Sequence, residues 1–362
     1  MIIPEVTVST VRTARLRTRY PRPVGRNARL GHHGDGGESA VAIIEASDGS
    51  VGWGLFEGDS GPIESVVDRP VAELIDPATG ITDPSLHWLD IALHDLAGVL
   101  LDLPVYAMLG GSGSTRVEVY DGAIYFDDLD PDDAPRGVAA ALRNCADDAA
   151  TGHRSFKLKI GRGNRWLPRE AGDRRDREVT RAVREAYPEA RILVDANDGY
   201  DLAGFVEYAE AVADCDLYWV EEPFADDAAD LAGLRQALDR ISPDTKIADG
   251  EFQPELDQLL PIAGAGDLNV LLMDVISFGL TRWRAIMPEL IKLGVAASPH
   301  AWGRPLKTLY AAQFAAGLGN IDIVEGVPGT TDGVDTGSYR FADGHLSVPD
   351  RPGFGLPVPD VP

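Results

Sequence analysis

Charged residues recur in this chain each time a short apolar run ends. Lys157 and Lys159 lie two apart within 156–160, and Asp195 and Asn197 follow the run 192–194. Glu221 and Glu222 close 217–220, and Asp249 and Glu251 follow 246–248. Asp274, His300 and Glu325 then each end a further run of the same kind. Brought together, Asp195, Glu221 and Glu251 would repel one another unless a hard cation neutralised them, and oxygen ligands on neighbouring strands suit Mg2+. Asp249 shares the strand parity of Glu251 and is the rival third ligand. Glu222 follows Glu221 directly, so it should face away and support the site from behind. Of the two lysines, one suits a substrate carboxylate. The other, crowded by a like charge and partly desolvated, is expected to have a depressed pKa and to act as a base. His300 with Asp274 reads as a dyad in which the carboxylate fixes the imidazole tautomer. Glu325 stands where a protonated carboxyl could donate a hydrogen bond to a developing oxyanion. His87, His94, His153 and His345 read as structural.

Something must bring these residues into one place. Apolar runs this short, separated by helix-length segments, read as buried parallel strands of βα units. In a (β/α) barrel every strand ends on the same face, and that face carries the chemistry. Candidate helices cover 133–150, 173–187, 202–213, 227–238, 254–262, 281–293 and 305–318. Residues 1–115 break the rhythm. Alternating strands at 6–11 and 39–47, an Asp48-Gly49 hairpin turn and a helical stretch at 86–101 indicate an α+β domain. Its segment 19–34 is expected to be a loop, long enough to act as a lid or binding loop. The fold class is therefore α/β: a modified (β/α)7β barrel at 116–326, an α+β capping domain at 1–115, and a tail at 327–362 that returns to the capping domain.

The formal net charge of −25 argues against nucleic acid as a partner, since that requires a basic footprint. No apolar run approaches the ~20 residues of a membrane span. The N-terminus lacks the organisation of a signal peptide, and the two cysteines offer neither a disulfide framework nor a thiolate metal site. A cytoplasmic enzyme is expected. Lysine occurs five times only, so two of the five share one strand end.

In their order these motifs resemble the mandelate racemase subgroup of the enolase superfamily. The matching features are Lys157-x-Lys159, Asp195-x-Asn197, Trp219-x-Glu221-Glu222-Pro223, Gly250-Glu251, Asp274, His300 and Glu325. The resemblance spans nearly the whole chain. It implies Mg2+-assisted abstraction of the proton α to a carboxylate. Lys159 and His300 would stand on the two sides of the substrate, with Lys157 on its carboxylate and Glu325 on the oxygen opposite the metal. Asn197, Trp302 and the polar capping-loop residues Arg26, Asn27 and His32 are assigned to substrate binding. A small sugar acid or hydroxy acid is the expected substrate, with a homo-oligomer as the expected assembly. The leading reaction is dehydration of an acid sugar to a 2-keto-3-deoxy acid. Racemisation or epimerisation of a 2-hydroxy acid and cycloisomerisation of an anhydro-sugar acid are the alternatives. A non-catalytic sugar-acid binding protein is the reading from another class.

Overall fold

The computed structural model describes residues 1–251 and 255–361. Its N-terminal sheet is antiparallel, with β1 (Val8–Val24) paired to β2 (Gly34–Ala46) and β2 to β3 (Val51–Phe56). The Asp48-Gly49 turn joins the last two, with Gly49 at φ +86°. Helix α1 (Asp90–Leu101) lies directly on this sheet. Two glycines permit that approach: a Cβ at Gly52 would fall 2.3 Å from the Leu96 nitrogen, and one at Gly54 would fall 2.5 Å from Ile91. The expected loop 19–34 is shorter than its composition suggests. Residues up to Val24 extend β1, because Thr18 and Arg19 find partners in Thr331 and Thr330, and Val24 pairs with Gly34. The loop proper is 25–33.

Eight strands and seven helices then alternate. The strands are β4 (Arg116–Ile124), β5 (Phe156–Lys159), β6 (Ile192–Asp195), β7 (Leu217–Glu221), β8 (Lys246–Asp249), β9 (Val270–Leu271), β10 (Ala296–Ala297) and β11 (Val324–Gly326). Between them run α2 (Val138–Ala150), α3 (Arg169–Ala186), α4 (Leu202–Ala211), α5 (Ala228–Ile241), α6 (Leu256–Ala265), α7 (Leu280–Leu293) and α8 (Pro305–Leu318). These are the helices expected from the sequence, displaced by a few residues at their ends; position 254 of the expected helix 254–262 lies outside the described residues. Neighbouring barrel strands pair in parallel from β4 to β10, and β11 returns to β4, with Val324 opposite Val119. The chain is a closed (β/α)7β barrel.

Register decides which side chains look inward. Lys159 pairs laterally with Asp195, Asp195 with Glu221, and Glu221 with Ala248. One layer below, Lys157 pairs with Leu193 and Leu193 with Trp219. Tyr120, Leu193, Trp219, Ala248, Leu272 and Ile323 form a separate buried cluster that plugs the barrel interior beneath the charged layer. Their outward neighbours, such as Ile192, Val220 and Ile247, join the main core against the helices.

The tail divides. Strand β12 (Thr330–Thr331) extends the capping sheet beside β1, while the hairpin of β13 (Arg340–Ala342) and β14 (His345–Ser347) pairs antiparallel with the start of β4. Further on, the Phe354 N–H donates to Asp95 Oδ1 at 2.7 Å, and the Trp53 N–H donates to Oδ2 at 2.9 Å. Burial pushes the Asp95 carboxyl up to about 7, against these two donors, which favour the anion. The folded state thus holds this proton more tightly than the unfolded chain. That contribution to stability is complete below the ordinary carboxylate range and is lost as pH rises through about 7. Between about pH 5 and about pH 8 the protein should lose about 3 kcal/mol more unfolding free energy than Asp95→Asn. Equal losses in urea titrations at the two pH values would refute this. No helix among the described residues is long and apolar enough to cross a membrane.

Candidate active site

Asp195, Glu221 and Glu251 each place an oxygen within 4.8 Å of the other two. The first two do so by register; the third does so through a backbone reversal. Ala248 faces the barrel interior, so strict alternation would turn both Asp249 and Glu251 outward. Gly250, at φ +102°, breaks the alternation and delivers Glu251 to the mouth. Asp249 stays behind, with its Oδ1 on the Gly250 N–H at 2.7 Å. Of the two rivals, Glu251 is the one that joins the cluster. Glu222 also has a positive φ, +42°, and it turns aside to accept the Asn197 side-chain amide at 3.0 Å. Burial and the charges of Glu251 and Asp195 raise Glu222 to about 8.

Both lysines lie on these carboxylates. Lys157 Nζ is 2.6 Å from Glu221, 2.9 Å from Glu325 and 3.4 Å from Asp195, and Lys159 Nζ contacts Asp195. The expectation of a depressed lysine pKa is not met in this arrangement. Burial opposes each charge, but Glu221 and Glu325 outweigh it for Lys157 and Asp195 outweighs it for Lys159, so both are raised. Glu325 likewise departs from the protonated carboxyl expected of it. Although burial works against its charge, Lys157, His300 and the Ala301 N–H at 2.8 Å hold it below the ordinary carboxylate range.

His300 completes the mouth from the other end. Its Nε2 is 3.0 Å from Glu251 and its Nδ1 is 2.9 Å from Asp274. Burial disfavours the imidazolium, but Glu251, Asp274 and Glu325 prevail and raise the pKa to about 9. The expected dyad is present. Asp274 is also gripped by Lys307 Nζ at 2.7 Å, a contact not foreseen from sequence.

The capping loop reaches the barrel differently from expectation. Arg26 is held by Asp130 and Asp132, and His32 by Asp130 at 3.0 Å. Asn27 turns its side-chain Oδ1 to accept the Arg29 N–H at 3.0 Å and the Leu30 N–H at 2.6 Å. These three anchor the loop, and none is within hydrogen-bonding reach of the charged cluster. The capping groups that do approach are Tyr20 and His33. Tyr20 stacks on Trp302 at 5.7 Å, His33 lies edge-on to Tyr125 at 4.7 Å, and Tyr125 meets Trp302 at 4.8 Å. Lys159 Nζ is 5.3 Å from the Tyr125 ring. Trp302 is therefore at the mouth as expected, inside an aromatic wall. Tyr125 follows β4 directly and could have been found by the strand-end rule, but its apolar ring carried no charge signal.

The buried Glu251 Oε2 and Asn197 Oδ1 have no hydrogen-bond partner among the described residues. Three inward carboxylates beside unsatisfied oxygen atoms form a donor set that fits a hard divalent cation. A family model, Enolase C-terminal domain-like, matches residues 140–360. The chain belongs to the enolase superfamily. Similarity to known proteins extends beyond the matched region. The chain is 30% identical over 280 residues to 3,6-anhydro-alpha-L-galactonate cycloisomerase of Streptomyces coelicolor, covering 76% of this chain and 70% of that one. It is 26% identical to arabinonate dehydratase of Saccharolobus solfataricus, with 89% of each covered. Among solved structures it resembles galacturonate dehydratase from Geobacillus sp. in complex with D-galacturonate and 5-keto-4-deoxy-D-galacturonate. That likeness has a TM-score of 0.91 at 31% identity, covering 99% of this chain and 96% of the other. A mandelate racemase/muconate lactonizing protein from Geobacillus sp. Y412MC10, complexed with magnesium/tartrate, is as similar: TM-score 0.91, 31% identity, coverage 98% and 94%.

Proposed function

We propose that the protein is a Mg2+-dependent enzyme that removes the proton α to the carboxylate of an acid sugar and expels the β-hydroxyl, giving a 2-keto-3-deoxy acid. The observation that carries this reading is the placement of two proton-transfer groups at opposite ends of the triad, Lys159 on Asp195 and His300 on Glu251. Mere binding of a sugar acid needs no such pair.

Asp195, Glu221 and Glu251 would hold the cation, which neutralises charge developing on the substrate carboxylate. Lys157, fully buried among carboxylates, binds and orients that carboxylate. Lys159, whose extra proton is held on it by the Asp195 contact, takes the α-proton once that contact is given up and the proton shed, acting as the neutral amine. As the Cα–H electrons form the enolate and then expel the β-substituent, His300 Nε2 delivers a proton to the departing hydroxyl, which leaves as water. The resulting enol loses its hydroxyl proton and takes one from solvent at the former β-carbon to become the keto acid. Asp274 keeps the His300 proton on Nδ1 and so leaves Nε2 to face the substrate. Glu325 fixes Lys157. The aromatic wall of Tyr125 and Trp302 excludes water from the reacting carbons. The two cysteines, Cys145 and Cys215, are buried and unpaired, which supports action in the cytoplasm.

Isomerisation is the second reading, because the same two groups could each act as a base and the relative at 30% identity is a cycloisomerase. A panel of mono- and diacid sugars, D-galacturonate included, incubated with enzyme and MgCl2 in D2O separates the two. Dehydration predicts a product lighter by one water that carries one deuterium next to the new carbonyl. A product of unchanged elemental formula would replace the dehydratase reading with isomerisation. Failure of every acid to exchange its α-proton would refute both.

A further inference from the structure

Lysine is scarce here, yet one of the five is buried beneath the dyad rather than spent on the surface. Lys307, 4% exposed and in the first turn of α8, places Nζ 2.7 Å from Asp274 Oδ2 and 2.7 Å from Glu57 Oε1. Glu57 directly follows β3 of the capping domain. The Asp274 carboxylate is saturated by four donors. Oδ1 accepts the Ile276 and Ser277 N–H groups at 2.8 and 2.9 Å, and Oδ2 accepts His300 Nδ1 and Lys307 Nζ. One more contact ties this helix to the capping domain: the Tyr310 hydroxyl, one turn further along α8, accepts the Leu55 N–H at 3.4 Å.

We propose that Lys307 is a positioning residue for the His300–Asp274 dyad, and that through Glu57 it makes the placement of His300 depend on how the capping domain is seated. The inference rests on the proposed proton-transfer role of His300. Two of the four donors on Asp274 are backbone groups of its own turn and fix one oxygen. Among the described residues the other oxygen is oriented by His300 itself and by Lys307, so without the ammonium the carboxylate is free to rotate away from the imidazole. A half-exposed carboxylate such as Glu57 gains little from a surface ion pair. Here it meets a buried ammonium already committed to Asp274, so its contact is transmitted to the dyad.

The test uses the full-length Mg2+-loaded protein with 15N-labelled histidine, so that the dyad is read without any substrate. The hydrogen-bonded Nδ1 proton of His300, assigned by its absence in His300→Asn, should be visible in the parent protein and in Lys307→Arg. It should be lost or broadened in Lys307→Met, and displaced in Glu57→Gln, where folding is not at risk. With D-galacturonate as the kinetic probe, Lys307→Met should lower kcat about 100-fold, with KM changed less than about threefold, and Lys307→Arg should recover most of the loss. An unchanged Nδ1 resonance in Lys307→Met would overturn the positioning role, and an unchanged one in Glu57→Gln would overturn the link to the capping domain. If D-galacturonate is not turned over, that sugar is not a substrate and the resonance alone decides the inference.

Discussion

Asp195→Asn should abolish Mg2+ binding in calorimetric titration and lower turnover by at least about 1,000-fold. Asp195 is the hub of the mouth. It lies in register between Lys159 and Glu221, contacts both lysines and accepts the Asn197 N–H at 2.9 Å. Substitution therefore removes one anionic ligand and also releases Lys159 from its partner, so metal affinity and proton abstraction fail together. Glu251→Gln should lose metal affinity as well, whereas Asp249→Asn should retain it, because Gly250 turns only Glu251 toward the triad. Full Mg2+ affinity in Asp195→Asn, or a loss in Asp249→Asn with none in Glu251→Gln, would overturn the ligand assignment.

The second large effect concerns His300→Asn. Asn preserves hydrogen bonding toward Asp274 but cannot supply a proton, so dehydration should fall by about 100- to 10,000-fold. Lys159 stands at the other end of the triad and keeps its Asp195 contact. The variant should therefore still wash deuterium into the α-position of an acid sugar that the parent enzyme dehydrates. Loss of exchange together with dehydration would mean that His300, not Lys159, removes the α-proton. Retention of dehydration would remove His300 from the mechanism altogether.

The barrel and most of its mouth were legible because buried parallel strands are uniformly apolar, so a charge at a strand end announces itself. Lys157, Lys159, Asp195, Glu221, Asp274 and His300 were all found that way. Glu251 was not separable from Asp249, since a single glycine φ decides between residues of equal parity. The extension of β1 to Val24 was hidden because its partners, Thr330 and Thr331, lie some three hundred residues further on. Distance along the chain also misled the reading of the polar loop. Arg26 and His32 look available for a substrate until Asp130 and Asp132 arrive from beyond β4 to bind them. Lys307 and Tyr125 each had a signal that went unused, rarity for the one and a place directly after β4 for the other, whereas His33 reaches the mouth only through tertiary packing.

The divided tail has a consequence for the order in which the molecule can be made. During synthesis the capping strands emerge first, but β1 lacks its outer neighbour until Thr330 and Thr331 arrive, and Asp95 lacks one of its two donors until Phe354 does. Between those moments the whole barrel is translated. A ribosome-bound chain halted just after β11 would thus carry a closed barrel beneath a capping sheet with one raw edge and a buried carboxyl only half satisfied. The segment from Thr330 to Phe354 acts as a fastener that is inserted only after the barrel strands, and the time needed to translate the barrel sets how long that edge stays open to other chains.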